Sequence, residues 1–312
     1  MFSEPRMSVH TPRDKSTTYT IAQSKTMNYK GIITPMLTPF DRKGEIDYDA
    51  TRSLIEFLKK SGVNGLFPLG STGLFPFLRF EERKRFLQFV IENSMGLPVF
   101  SGVGSSSTQE AVEQARFASE IGSAVNVLMP PYYIIPGQEE IRNHFETVLK
   151  AVDHPLFIYN IPQLAGSRIE PETVLYLKEN YSSVVGMKES SADMRYFSQI
   201  MALHDKNFSV FQGQDDLLLP SMAIGADGGV CGLSNFSQHV VEEYKLINDG
   251  NYEKARKVQL DHVNPLLRYL NGVRFPSGYY AAFYEKFKFD GGYRAPMLKP
   301  DNVYVSGLMK FL

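Results

Sequence analysis

The chain has 312 residues, 43% of them hydrophobic, with 33 Lys and Arg against 34 Asp and Glu and a formal net charge of -1. That length suits one large domain of the barrel kind or two ordinary ones, and the balanced charge leaves no basic surplus for nucleic acid or an anionic membrane. One cysteine, Cys231, excludes an internal disulfide, and no apolar stretch approaches the roughly 20 residues of a membrane span, so the chain is expected to be cytoplasmic, with no nucleic-acid or membrane partner.

Residues 1–26 are rich in Ser, Thr and charge, show no helical or strand period and lack the apolar core of a secretory signal; they are expected to be disordered, with Met27 a candidate start. From residue 31 the chain alternates. Eight short apolar runs (31–37, 65–70, 99–104, 124–130, 156–162, 184–190, 208–214 and 228–234) are followed by helix-like segments at about 47–61, 80–95, 108–121, 138–152, 170–180, 193–203, 217–224 and 238–248. In the third helix Ala111, Ala115, Ala118 and Ile121 recur at helical spacing and Gly122 gives the stop. Strands buried on both faces read as continuous apolar runs, the mark of a parallel sheet. Eight strand–helix units are the count of a closed (β/α)8 barrel, a TIM barrel. An open doubly wound sheet would place a Gly-rich phosphate loop after its first strand, and "GIITPMLTPFDRKG" offers none. The expected organisation is a barrel over 27–249 and a helical region over 250–312, where two or three helices lie between 252 and 290 and the many aromatics serve packing or a subunit interface.

In such a barrel the chemistry sits at the C-terminal ends of the strands. These carry Gly70–Gly73 ("GSTG") after the second, Tyr132 and Tyr133 after the fourth, Tyr159 and Asn160 on the fifth, Lys188 and Glu189 on the sixth, Gly213–Asp216 after the seventh, and Ser234 and Asn235 after the eighth. None of the six histidines falls there, and no cluster has metal-ligand spacing. The pair Asp215–Asp216 is read as a helix N-cap rather than a metal site; neither a metal nor a cofactor is expected. An aldol-type site needs an amine, a proton shuttle and a grip for a carboxylate. Lys188 has an ordinary reading, a buried stem whose ammonium reaches solvent or pairs with Glu189, and a functional one: partial burial disfavours an ammonium and leaves free amine to attack a carbonyl. Tyr159 is either a core tyrosine or the shuttle. "GSTG" is either a plain turn or a set of hydroxyls and N–H groups for a carboxylate. The three together, on strands two, five and six, favour the functional readings.

"GSTG", "PPYY", "YNIP" and "VVGMKES", in this order and spacing, resemble the pyruvate-dependent class I aldolase superfamily of dihydrodipicolinate synthase and N-acetylneuraminate lyase, over about residues 31–249. The resemblance implies a (β/α)8 barrel with a helical tail, assembled as a homotetramer, and a 2-keto acid substrate (pyruvate plus an aldehyde). It makes Lys188 the imine-forming lysine and Tyr159 the proton shuttle. Ser71 and Thr72 become the carboxylate clamp, and Tyr133 a residue that reaches a neighbouring subunit's site. Gly213, Asp215 and Ser234 are carried as further substrate contacts. The synthase has an arginine two residues past the "YNxP" proline, where this chain has Leu164. "GSTGL", "GVGSSS" and "MPPYYI" look most like the archaeal 2-keto-3-deoxygluconate aldolases of the Thermoplasma-like branch. No Lys or Arg lies between Tyr133 and Arg142, which favours an unphosphorylated substrate. The expected reaction is reversible cleavage of 2-keto-3-deoxygluconate to pyruvate and glyceraldehyde. The alternatives are a neuraminate lyase, a synthase-like enzyme, or a non-catalytic keto-acid binding paralogue.

Overall fold

A computed structural model describes residues 29–312; the expectations for residues 1–26 and for Met27 lie outside the described residues. Eight parallel strands, β1 Gly31–Pro35, β2 Gly65–Phe67, β3 Phe100–Gly102, β4 Val125–Leu128, β5 Leu156–Asn160, β6 Val184–Glu189, β7 Ser209–Gln212 and β8 Gly228–Val230, pair in the order β2-β1-β8-β7-β6-β5-β4-β3. A parallel bridge between Leu66 and Val99 brings the two edges together. The expected (β/α)8 barrel is therefore the fold. The strands are shorter than the apolar runs that mark them: the run at 65–70, for example, leaves the sheet after Phe67, where Pro68 and then Leu69, with φ 60°, cannot extend a ladder.

The helices are α1 Tyr48–Ser61, α2 Phe80–Glu92, α3 Thr108–Glu120, α4 Gln138–Ala151, α5 Pro162–Ala165, α6 Pro171–Asn180, α7 Met194–Met201, α8 Leu218–Ala223 and α9 His239–Asn248, then α10 Tyr252–Val258, α11 Asn264–Leu270, α12 Ser277–Phe287 and α13 Asn302–Leu308. Their ends follow local chemistry. In α1 the Asp47 side chain accepts from Ala50 N–H, Lys59 and Lys60 sit in the last turn, and Gly62 caps at φ 80°. In α3, Ala111, Ala115 and Ala118 are fully buried, as their spacing predicts. The one-turn α5 and the terminal α13 are too short to give a periodic signal in the sequence.

The barrel interior is aromatic. Phe157 packs edge-on against Phe100 and tilted against Phe211, and Tyr29 meets Phe100 and Phe157 edge-on. The tail is tied to the loop after β1: the Tyr280 hydroxyl accepts from Thr38 N–H (3.2 Å) and the Tyr284 hydroxyl from Phe40 N–H (3.0 Å). Among the described residues no helix is long and apolar enough to cross a membrane.

One buried acid lies outside any bonding network. Glu243 on α9 is fully buried and neither carboxylate oxygen has a hydrogen-bond partner. The titratable groups that face it are Asp215 and the Cys231 thiol. Burial, with repulsion from Asp215 second, pushes Glu243 up to about 8. An acid whose folded pKa is raised holds its proton in the folded state after the unfolded chain has lost its own. It therefore stabilises fully below the unfolded value, and that stability is lost as pH rises through about 8. Urea unfolding at pH 6 and pH 9 should show wild type markedly weaker at pH 9, and Glu243→Gln with most of that difference removed. Equal pH sensitivity in both would place the titrating group elsewhere.

Candidate active site

Parallel pairing sets Tyr159 of β5 opposite Lys188 of β6, and Asn160 opposite Glu189. Strand alternation then separates the neighbours Lys188 and Glu189. Lys188 turns into the barrel, with Nζ 4.1 Å from the Tyr159 ring centroid and 5.0 Å from that of Phe67. Glu189 turns outward and binds Asn160 Nδ2 (2.6 Å) and Ser191 N–H (2.5 Å). The ordinary reading, an ion pair between these two, does not apply. Lys188 is only 5% exposed, and among the described residues no carboxylate forms an ion pair with it. Its ammonium is met instead by two ring faces, which attract a cation modestly, while Asp215, bordering the same cavity, acts on it through space without an ion pair.

Above Lys188 opens a cavity of about 290 Å³ whose lining includes Ser71, Thr72, Tyr159, Gln163, Leu164 and Gly213. The Tyr159 hydroxyl lies 3.3 Å from Ser71 Oγ, so phenol and turn hydroxyl share one hydrogen bond beside the amine. The turn that carries Ser71 and Thr72 is bounded by Leu69 and Leu74, both in the left-handed region at φ 60° and 56°. That conformation costs a non-glycine residue about 1 kcal/mol or more. It is held from the β1 side: Thr38 Oγ1 donates to Gly73 O at 2.7 Å, and a Cβ on Gly73 would stand 2.6 Å from Met36 O. Gly213 is likewise fixed by proximity, since a Cβ there would lie 3.0 Å from both Lys188 Cε and Glu189 O. Its lack of a side chain leaves room for the lysine arm.

Lys188, Tyr159, Ser71, Thr72 and Gly213 thus converge on one cavity. Asp215 also borders it, with its carboxylate engaged by backbone amides. Its carboxylate accepts from Gly232 N–H (3.0 Å) and Leu233 N–H (2.9 Å), the first two amides of the short 3-10 turn after β8, rather than capping the helix that follows it in sequence. Burial raises it to about 6, opposed by those two amides. Ser234 is fully buried, bonded to Thr34 Oγ1 (2.9 Å) and the Cys231 carbonyl, and lies outside the cavity lining. Asn235 holds Leu37 N–H (2.9 Å) and Pro35 O (3.0 Å). Both polar residues after β8 knit the first and last loops together rather than face a ligand. Tyr133 is 89% exposed and does not border its own chain's cavity. The sequence reading missed the rim supplied by the tail. Leu267, Asn271, Phe275 and Tyr279 line the cavity, although nothing in α11 or α12 but their aromatic content set them apart. Among the described residues no group of three or more His, Cys, Asp or Glu could hold a metal ion.

The geometry describes a parallel (β/α)8 barrel with a lysine and a tyrosine facing each other at the strand ends. A model of the Dihydrodipicolinate synthetase family matches residues 28–309, and the chain belongs to that family. It is 53% identical, over 87% of this chain and 93% of the relative, to an uncharacterised DapA-like lyase of Thermoplasma acidophilum. It is 49% identical, over 85% of this chain and 98% of the relative, to a 2-dehydro-3-deoxy-D-gluconate/2-dehydro-3-deoxy-phosphogluconate aldolase of Picrophilus torridus. Among solved structures, the 2-keto 3-deoxygluconate aldolase from Picrophilus torridus superimposes with a TM-score of 0.86, covering 88% of this chain and 98% of that one at 49% identity. Dihydrodipicolinate synthase from Aquifex aeolicus also gives 0.86, covering 90% and 96% at 31% identity.

The Asp215 brace has a measurable consequence. Asp215→Asn sets an NH2 group against one of the two backbone donors and leaves a buried amide unpartnered, at about 1–3 kcal/mol. Urea unfolding at neutral pH should register that loss; wild-type stability would show that the two amides do not depend on the carboxylate.

Proposed function

We propose that this protein is a Schiff-base aldolase that reversibly cleaves 2-keto-3-deoxygluconate to pyruvate and glyceraldehyde. The observation that carries the reading is Lys188, buried in a polar-rimmed cavity without a direct ion pair and facing the Tyr159 ring at 4.1 Å. A buried amine without an acid partner is suited to attack a keto carbon and expel water as an imine. The imine nitrogen then accepts the electron pair released when the C3–C4 bond breaks. Tyr159, bonded to Ser71, is placed to pass protons to and from the reacting oxygens. Ser71 and Thr72 present hydroxyls and turn N–H groups to the keto acid's carboxylate.

The tail of the substrate is argued from the rim. Leu164, where the synthase carries an arginine, lines the cavity and is half exposed, and among the described lining residues Lys188 is the only cation. A second carboxylate that leaves water needs a paired cation, so the synthase reaction is disfavoured. A neutral hydroxyl chain needs donors and acceptors, and Gln163, Gln214 and Asn271 supply them. The name of the Picrophilus relative points to the same sugar acids, with and without phosphate.

Two measurements decide the reading. Borohydride added with pyruvate should increase the mass of a Lys188-containing peptide, and Lys188→Arg should abolish labelling because a guanidinium stays protonated; a label on another lysine, or none, defeats the proposal. Offered 2-keto-3-deoxygluconate, its 6-phosphate, and pyruvate with aspartate semialdehyde, the enzyme should show its highest kcat/KM on the first and form no cyclic product from the third. A tenfold preference for the phosphate would require a cation outside this chain's cavity.

A further inference from the structure

We propose that Asn160 and Glu189, on the outer face of β5 and β6, form a positioning clamp that sets the separation of Lys188 and Tyr159; this rests on the aldolase reading above. Both side chains are almost fully buried, Asn160 at 0% and Glu189 at 1% exposure, and neither can touch a substrate in the barrel. Each is one residue past the facing pair, at the last rung of the ladder before the chain departs into loops. The bonding is complete and directional. Asn160 Nδ2 donates to Glu189 Oε2 at 2.6 Å, Asn160 Oδ1 accepts from Ile169 N–H at 3.1 Å, and Glu189 Oε1 accepts from Ser191 N–H at 2.5 Å. The same two residues end the backbone ladder: Ser190 N–H donates to Asn160 O at 2.9 Å and Gly213 N–H to Glu189 O at 2.7 Å. The clamp therefore ties β5, β6, the cavity-lining Gly213 and the turns after β5 and β6 to one point.

A carboxylate buried on the outer side of a barrel is costly unless its partners are fixed. The groups facing Glu189 are Asn160, Ser191 and, further off, Arg168, and its charge adds to burial in keeping the Tyr196 phenol protonated. A simple filler of that space would be apolar. What this pair supplies is a fixed register at the level of the catalytic side chains, where an error of about 1 Å can cost about a hundredfold in rate.

The bonding pattern permits a swap. Glu189→Gln alone turns a donor toward a donor, and Asn160→Asp alone turns a carboxylate toward a carboxylate. When both substitutions are combined, the direction of the shared hydrogen bond reverses: the new side-chain amide at position 189 donates to the new carboxylate at position 160. The Ile169 and Ser191 amides keep their acceptors. The assay is exchange of the pyruvate methyl protons in heavy water. There the Lys188 imine loses a C3 proton, the C–H pair becomes the C2–C3 double bond, and the C2–N pair moves to nitrogen before a deuteron returns to C3. The rate is expressed per subunit that pyruvate and borohydride label, which removes the contribution of unfolded protein. Each single variant should exchange at least tenfold slower per labelled subunit, and the double variant should return to within threefold of wild type. Wild-type rates in the singles, or a double no faster than the slower single, would overturn the clamp. If neither single folds, Glu189→Asp, which keeps the charge and withdraws it by one methylene, should show the same slowing, and a wild-type rate there would overturn it equally. Unlabelled wild-type protein would instead remove the aldolase reading and the clamp with it.

Discussion

The constraint on which the site depends is a lysine placed inside an apolar barrel without a direct ion pair. Residues of a strand alternate sides, so in "MKE" the ammonium and the adjacent carboxylate are separated by the strand itself. If Glu189 faced inward, the two would neutralise each other and the amine would be held as a cation. Instead the inner face offers the rings of Phe67 and Tyr159, 5.0 and 4.1 Å from Nζ. Much of the surrounding structure follows. A Cβ at Gly213 would meet Ser190 Oγ first and then Glu189 O and the lysine arm, and the barrel below is filled with Phe100, Phe157 and Phe211, which close it to solvent.

The polar residues near the strand ends divide into those that face the cavity and those that hold the loops. Asp215, Ser234 and Asn235 belong to the second group: each is buried and bonded to backbone or to a neighbouring hydroxyl. They join the turns after β7 and β8 to the loop after β1, which in turn holds the Ser71–Thr72 turn through Thr38 and Gly73. The tail reaches the same loop through Tyr280 and Tyr284. A turn strained at both Leu69 and Leu74 persists only because its neighbours over-determine it. Rigidity at that turn is thus produced by residues that resemble ligands in composition but are occupied with the backbone.

That division explains what could be read from the sequence. The barrel and the position of Lys188 and Tyr159 at strand ends follow from continuous apolar runs in eight repeating units, and both are local signals. Thr72 and Gly213 carried theirs in the shape of a Gly-flanked turn. Whether Asp215 and Ser234 face a ligand or a backbone amide depends on partners 17 to 200 residues away, Gly232 and Thr34, which no local pattern records. The Asp215–Asp216 pair looks like an N-cap by composition, yet the long-range amides take the first carboxylate. The rim residues Asn271 and Phe275 were hidden for the same reason: the connection between α11 and α12 that bears them is distant in sequence, and only folding of the tail over the strand ends makes them part of the cavity.

The result is a site in two layers with different physical origins. The inner layer, amine, phenol and hydroxyl, stands on strand ends and on a turn fixed by strands, where a change of residue disturbs the barrel itself. The rim stands on α5, on the turns after β7 and β8, and on the tail, where side chains such as Leu164 and Asn271 can change without moving the amine. On the proposed aldolase reading, bond making and breaking at the keto carbon uses the first layer alone and the aldehyde end meets the second. A family can therefore keep one imine chemistry while its members differ in the charge their rims will accept. In this chain the rim carries Leu164 where the synthase carries an arginine, and on the proposed reading a hydroxylated tail can leave water there without a charge left unpaired.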